Sequence, residues 1–209
     1  NRITPVTPKK ADNPNPLPKL NNAKPRFSSL ELRCCELCDE IAMKSKTIRK
    51  YAHKPAKVLL EINRCLLNAI NDNFATGCYA YFDMKKKKAV FGSAGHTIVY
   101  RINRHSGEVQ EIKPSGTVMG FISTVTYSDE ALQLRPGDRF FFYTDGLTEA
   151  RNRNNHMFEY LLPNFIRESF SLPAQRFRDK LIKELKTHAL FGNKTAFEDD
   201  VAVVIIDIL

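Results

Sequence analysis

Arg139-Phe140-Phe141-Phe142 runs directly into Tyr143-Thr144-Asp145-Gly146-Leu147-Thr148-Glu149-Ala150, and no other stretch constrains the fold as tightly. Three consecutive phenylalanines leave no polar face, so the run reads as a buried strand. The Asp-Gly pair then sets a carboxylate at the end of that strand, with glycine free to turn the backbone away. Carboxylates held at the ends of rigid strands are how hard divalent cations are bound. A second acidic pair, Asp199-Asp200, stands just before another apolar run over 201–208. Two strand-edge acid positions, distant in sequence, can converge on one ion, and the expectation is a metal-dependent enzyme. On spacing alone the alternatives stay open. Asp-Gly is a common turn pair, and Asp199-Asp200 reads equally as a charged loop end.

The rest of the chain narrows the class. Its 209 residues suit one domain, or one domain with a tail, and 43% hydrophobic content with 14 Phe is ample for a packed core. Residues 1–27 carry six Lys/Arg against Asp12, a net +5 of the formal +9, and six of the 11 prolines. They read as a basic, proline-rich disordered tail or linker, with the folded domain over 28–209. The body is left at only +4, too weak and diffuse a footprint for nucleic-acid binding. No apolar stretch approaches 18 residues and no signal-peptide pattern is present, so the expectation is a cytoplasmic protein.

The cysteines add little chemistry. Cys34, Cys35 and Cys38 give half of a zinc spacing with no second half, and they lie in a helical pattern. Cys65 falls on another helix and Cys78 in a strand, and all five read best as buried thiols.

Ser28 and Glu31 have capping-box spacing, which predicts a helix over 29–51. Pro55 opens a second helix whose Val58, Leu59, Ile62, Leu66 and Ile70 form one stripe, and the two helices should cover one face of a sheet. Strands are expected over 74–82 and 89–93, joined by Lys85-Lys86-Lys87-Lys88. That run is either the hairpin's solvated tip or a docking patch. Residues 98–102 and 108–112 form a second hairpin around Ser106-Gly107, 121–127 adds a strand, and 138–144 is the central one. Helices follow over 157–169 and 174–190. The last strand, 201–208, is apolar throughout and should be buried on both faces. Helices, then strands, then helices and one strand define an α+β layered domain.

With these motifs in place the chain resembles a known family. The stretch from Pro136-Gly137-Asp138-Arg139 to Ala150-Arg151-Asn152 resembles the central signature of the SpoIIE/RsbU-like bacterial serine/threonine phosphatases, a branch of the PPM (PP2C-type) enzymes. Ala94-Gly95-His96 resembles the family's turn after a hairpin, Gly116 with Gly120 its paired-glycine loop, and Asp199-Asp200-Val201-Ala202-Val203-Val204 its terminal acidic pair and last strand. Four motifs fall in the family's order over about 55–209.

The resemblance implies a PP2C-like layered β-sandwich flanked by helices. It also implies two Mn²⁺ or Mg²⁺ ions that activate water for attack on a phosphoserine or phosphothreonine. Asp145 and Asp199 become the ligands and catalytic acids, with Asp200 as neighbour or second ligand and Gly146 and His96 as accessory positions. His96 would donate to phosphate or metal-bound water, or else bond local backbone as turn histidines do. Gly116 and Gly120 read as backbone-geometry positions. Glu149 and Arg151 sit where substrate contacts are open to them. The substrate implied is a phosphorylated regulatory protein of a partner-switching pathway.

The family's front strands, with an aspartate before a serine-glycine-histidine-glycine run, have no counterpart here. Those N-terminal strands are therefore expected to be missing or replaced. That leaves a second reading, a catalytically silent PP2C-like binding module, with a dimer through an exposed sheet edge also open.

Overall fold

A computed structural model describes residues 46–67, 73–191, 194–195, 197 and 199–209. The 1–27 tail, most of the predicted first helix, Ile70 and Cys34, Cys35 and Cys38 lie outside them. Two short helical segments come first, α1 (Lys46–Lys50) and α2 (Pro55–Leu66), with Pro55 in the opening turn of α2. Strands β1 (Gly77–Asp83), β2 (Lys88–Ala94), β3 (Val99–Asn103), β4 (Val109–Ile112), β5 (Glu130–Gln133) and β6 (Asp138–Tyr143) follow. A one-turn helix α3 (Asp145–Thr148) leads through a 3-10 turn (Phe158–Tyr160) to α4 (Leu162–Ser169) and α5 (Ala174–His188). Two-residue strands β7 (Leu190–Phe191) and β8 (Lys194–Thr195) precede β9 (Val203–Asp207).

These strands form two antiparallel sheets of order β1-β2-β5 and β4-β3-β6-β9, beside the small β7-β8 pair. Side-chain alternation decides how they stack. On β1, Cys78, Ala80 and Phe82 point into the space between the sheets, where they meet Phe91, Phe140 and Phe142. Tyr79 points the other way, into a layer with Val58, Leu59, Ile62 and Leu66 of α2. On β6, Phe141 and Tyr143 turn outward onto Phe165, Phe177, Leu181 and Leu185 of α4 and α5. The result is helix, sheet, sheet, helix, with β6 buried on both faces. Phe140, Phe141 and Phe142 each add about 1.5–3 kcal/mol by leaving water, which makes β6 the anchor of the domain. The α+β layered sandwich expected from the sequence is the fold observed.

Several local expectations need correction. Residues 121–127 are not a strand: Phe121 is 63% exposed, and the strand that joins β1 and β2 from this part of the chain is the short β5. The turn at Gly120 (φ 86°) is held by buried Asn63, which accepts from the Gly120 N–H and donates to the Ile122 carbonyl. That clamp fixes the loop against α2 and leaves its apolar residues outside. The helix expected over 157–169 is split, because Pro163 begins α4 afresh after the 3-10 turn.

The last strand is not buried on both faces. Among the described residues β9 pairs only with β6 and is an edge; Val204 is 38% exposed, while Val203 and Ile205 are half-buried against the helices. Cys78 is buried as expected, but Cys65 is exposed on α2. No helix among the described residues is long and apolar enough to cross a membrane.

Candidate active site

The apolar run that buries β6 also delivers its end to one rim of the sandwich. The strand stops at Tyr143, and Thr144 enters α3 with Asp145 as its first residue, exposed at the rim. Asp145 Oδ1 accepts from the Gly146 N–H at 3.0 Å. Antiparallel pairing of Tyr143 with Val203 brings the start of β9 to the same rim, and with it Asp199 and Asp200. The Asp199 carboxylate accepts from the Asp200 N–H at 2.7 Å.

Two features lock the acid positions together. Thr144 donates its hydroxyl to the Asp200 carbonyl at 2.9 Å, and the same oxygen accepts from the Ala202 N–H at 2.9 Å. Gly146 is packed so closely that a methyl group there would stand 2.5 Å from the Asp200 carbonyl oxygen and 3.1 Å from that of Asp199. Glycine is thus required for close approach, not for the turn-back that the Asp-Gly pair first indicates; its backbone is helical.

The β2–β3 connection closes the third side. Gly95 (φ 67°) takes the left-handed conformation that glycine favours. His96 donates its N–H to the Ser93 hydroxyl at 3.2 Å, and Thr97 donates its hydroxyl to the Tyr143 carbonyl at 2.7 Å. Burial pushes the His96 imidazole below its ordinary value, and the Asp145 carboxylate pulls it back upward. His96 therefore lies within electrostatic reach of Asp145. Gly116 lies under the same loop, where a methyl group would collide with the Ser93 carbonyl. It is a backbone-geometry position, as expected.

Sequence reasoning missed Thr144 and Thr97, whose hydroxyls tie three chain segments into one corner. Their only signal was a threonine between an apolar run and the acid, and another just after Gly95-His96. It also missed the groove of about 490 Å³ beside Asp199 and Asp200, lined by Leu185, Lys186, Phe197 and Val201. Arg151 is occupied within its own loop, where it donates to the Asn155 carbonyl and side chain, and Glu149 is exposed.

Two carboxylate positions with backbone carbonyls beside them suit part of a hard-cation shell. Among the described residues, however, no three His, Cys, Asp or Glu side chains group closely enough to hold an ion. These residues therefore do not by themselves complete a two-ion centre.

A two-sheet α+β sandwich with paired acids at one rim defines the PP2C-like phosphatase-domain class. The sequence profile of the Stage II sporulation protein E (SpoIIE) family matches residues 35–209, and the chain belongs to that family. Phosphoserine phosphatase RsbU of Bacillus subtilis (strain 168) is 24% identical over 153 residues, 73% of this chain and 44% of RsbU. The SiaA-PP2C domain of Pseudomonas aeruginosa superposes with a TM-score of 0.66 at 18% identity, covering 82% of this chain and 65% of that domain. The phosphatase domain of SpoIIE from Bacillus subtilis, presoaked with Mn, gives a TM-score of 0.53 at 19% identity, covering 83% and 70%. The chain thus spans less than half the length of RsbU.

Proposed function

We propose that this chain is a protein serine/threonine phosphatase domain that hydrolyses a phosphoserine or phosphothreonine on a regulatory protein. The observation that carries this reading is the close approach of Gly146 to the Asp199–Asp200 backbone, which brings two acid positions 54 residues apart in sequence into one corner. Asp145 and Asp199 are the proposed ligands of a divalent ion, Mn²⁺ or Mg²⁺, with Asp200 as neighbour or second ligand. Such an ion, when bound, supplies the acidity that ionises water and offsets charge on phosphoryl oxygens. The residues do the positioning. Thr144 fixes the Asp199–Asp200 step, Thr97 fixes the end of β6, and His96 lies within electrostatic reach of Asp145. The groove beside the acids offers apolar walls and the Lys186 ammonium to a phosphorylated segment. Residues 28–209 are proposed as the domain, 1–27 as its basic tail, and a partner-switching regulator as the substrate.

A second reading follows from the ligand set. Because no three His, Cys, Asp or Glu side chains among the described residues group closely enough to hold an ion, a catalytically silent domain that binds a regulator is the alternative. Phosphate release from a phosphoserine peptide, with and without Mn²⁺, separates the two. Manganese-dependent release by the full chain that is lost in Asp145→Asn supports the phosphatase. A stoichiometric complex with a phosphoprotein and no release supports the silent domain.

A further inference from the structure

The rim opposite the acids carries a different chemistry. Register places Gly77 against Ala94 at the acid end of β1-β2 and Asp83 against Lys88 at the far end. Six residue steps at about 3.3 Å put the two ends roughly 20 Å apart. The far end is the tip Lys85-Lys86-Lys87-Lys88, all four lysines exposed.

This tip is an ordered structure. Lys87 takes φ 50°, and its carbonyl accepts from the Leu134 N–H at 2.7 Å, which ties the turn to the end of β5. Asp83 accepts from the Lys86 N–H at 2.9 Å, and its other oxygen lies 3.6 Å from Lys86 Nζ. The acid at the base of the tip is thereby engaged locally.

Beside the tip is a cavity of about 410 Å³, lined by His53, Tyr81, Asp83, Lys86, Lys88 and Val90. His53 comes from the turn between α1 and α2, and its ring meets Tyr81 edge-on at 6.5 Å. Lys54 follows His53, also exposed. The cavity therefore has an apolar floor from Tyr81 and Val90 and a rim of ammonium groups, with Asp83 as its one carboxylate.

We infer that this cavity and the 85–88 tip form a docking surface for an acidic segment of a partner protein, separate from the acid corner. Charge complementarity chooses the sign of the occupant, and the floor chooses its form: an apolar side chain seated on Tyr81 and Val90, flanked by Asp or Glu reaching the lysines. A nucleic-acid backbone fits less well. The cations sit on one hairpin tip and one turn, not along a stripe, and none on the cavity wall is an arginine. At about 20 Å the tip lies beyond the roughly 8–10 Å screening length of physiological salt, so it acts on partner binding and not on the acids.

The test is fluorescence anisotropy of a labelled peptide in which one leucine is flanked by Asp and Glu, titrated with the full chain at low and high salt. The expected result is binding that weakens as salt is added, falls at least tenfold in Lys86→Glu/Lys88→Glu, and is unchanged in Asp145→Asn. The milder Lys86→Gln/Lys88→Gln pair should fall between, and circular dichroism should show both variants folded, since both side chains are exposed. Equal binding by wild type and the charge-reversed pair would overturn the inference. So would tighter, equally lysine-dependent binding of a single-stranded oligonucleotide.

Discussion

Gly146→Ala tests how the acid corner is built. The added methyl would stand 2.5 Å from the Asp200 carbonyl oxygen and 3.0 Å from its carbon, all backbone atoms with no rotamer to escape into. Reaching ordinary contact at 3.4 Å requires a displacement of about 0.9 Å. Overpacking of this kind costs about 1–3 kcal/mol, and the stiffer unfolded chain of alanine returns about 0.4–1 kcal/mol. A net loss of about 1–2 kcal/mol should appear as a lower urea midpoint at unchanged slope.

The displaced segment is also the one that Thr144 holds. Thr144→Val should cost about 0.5–1.5 kcal/mol by removing the hydroxyl that bridges the Ala202 N–H and the Asp200 carbonyl, since both groups are exposed to water. Because both substitutions act on one segment, the double variant should lose less than the sum, with a coupling of about 0.5–3 kcal/mol. A Gly146→Ala protein as stable as wild type, or strict additivity with Thr144→Val, would refute the close approach.

Two further outcomes follow from buried charges. Arg139 is fully buried and pairs with Asp207 at 2.7 and 2.8 Å, with Leu172 and Phe170 carbonyls around it, so Asp207→Ala should strand a guanidinium and cost about 3–5 kcal/mol in urea melts; a loss under about 1 kcal/mol would contradict this. His96 is held below its unfolded value of 6.5, so the unfolded chain takes up the proton first and stability should fall as pH drops through and below that value. Thermal melts from pH 7.5 to 5 should show a shallower loss for His96→Gln and a steeper one for Asp145→Asn; equal slopes would contradict it.

Much of the layering was legible in the sequence because it rests on local signals. The 139–142 run announced a strand buried on both faces, and the stripe Val58, Leu59, Ile62 and Leu66 announced the helix that covers the first sheet. The misses came where distant contacts overrule composition. The 121–127 segment has strand-like residues, but Asn63 pins its neighbour Gly120 to α2 and turns the segment outward. The strand that exists, β5, alternates half-buried and exposed residues at an edge and offered almost no apolar signal. An apolar run over 201–208 pointed to double burial, yet what covers a strand depends on its neighbours in the sheet.

At the site, the two acids were visible as strand-end motifs able to converge on one ion, and their roles as ligands came from family resemblance. The close approach at Gly146 and the bridging by Thr144 are contacts across more than 50 residues, which no local pattern encodes.

The most direct measurement is Mn²⁺ binding to the full chain by calorimetry, compared among wild type, Asp145→Asn and Asp199→Asn. One corner built from both segments predicts that either substitution alone weakens binding at least tenfold, and that combining them adds little. Wild-type binding retained in either single variant would show that Asp145 and Asp199 do not serve one ion, and would contradict the account at its centre.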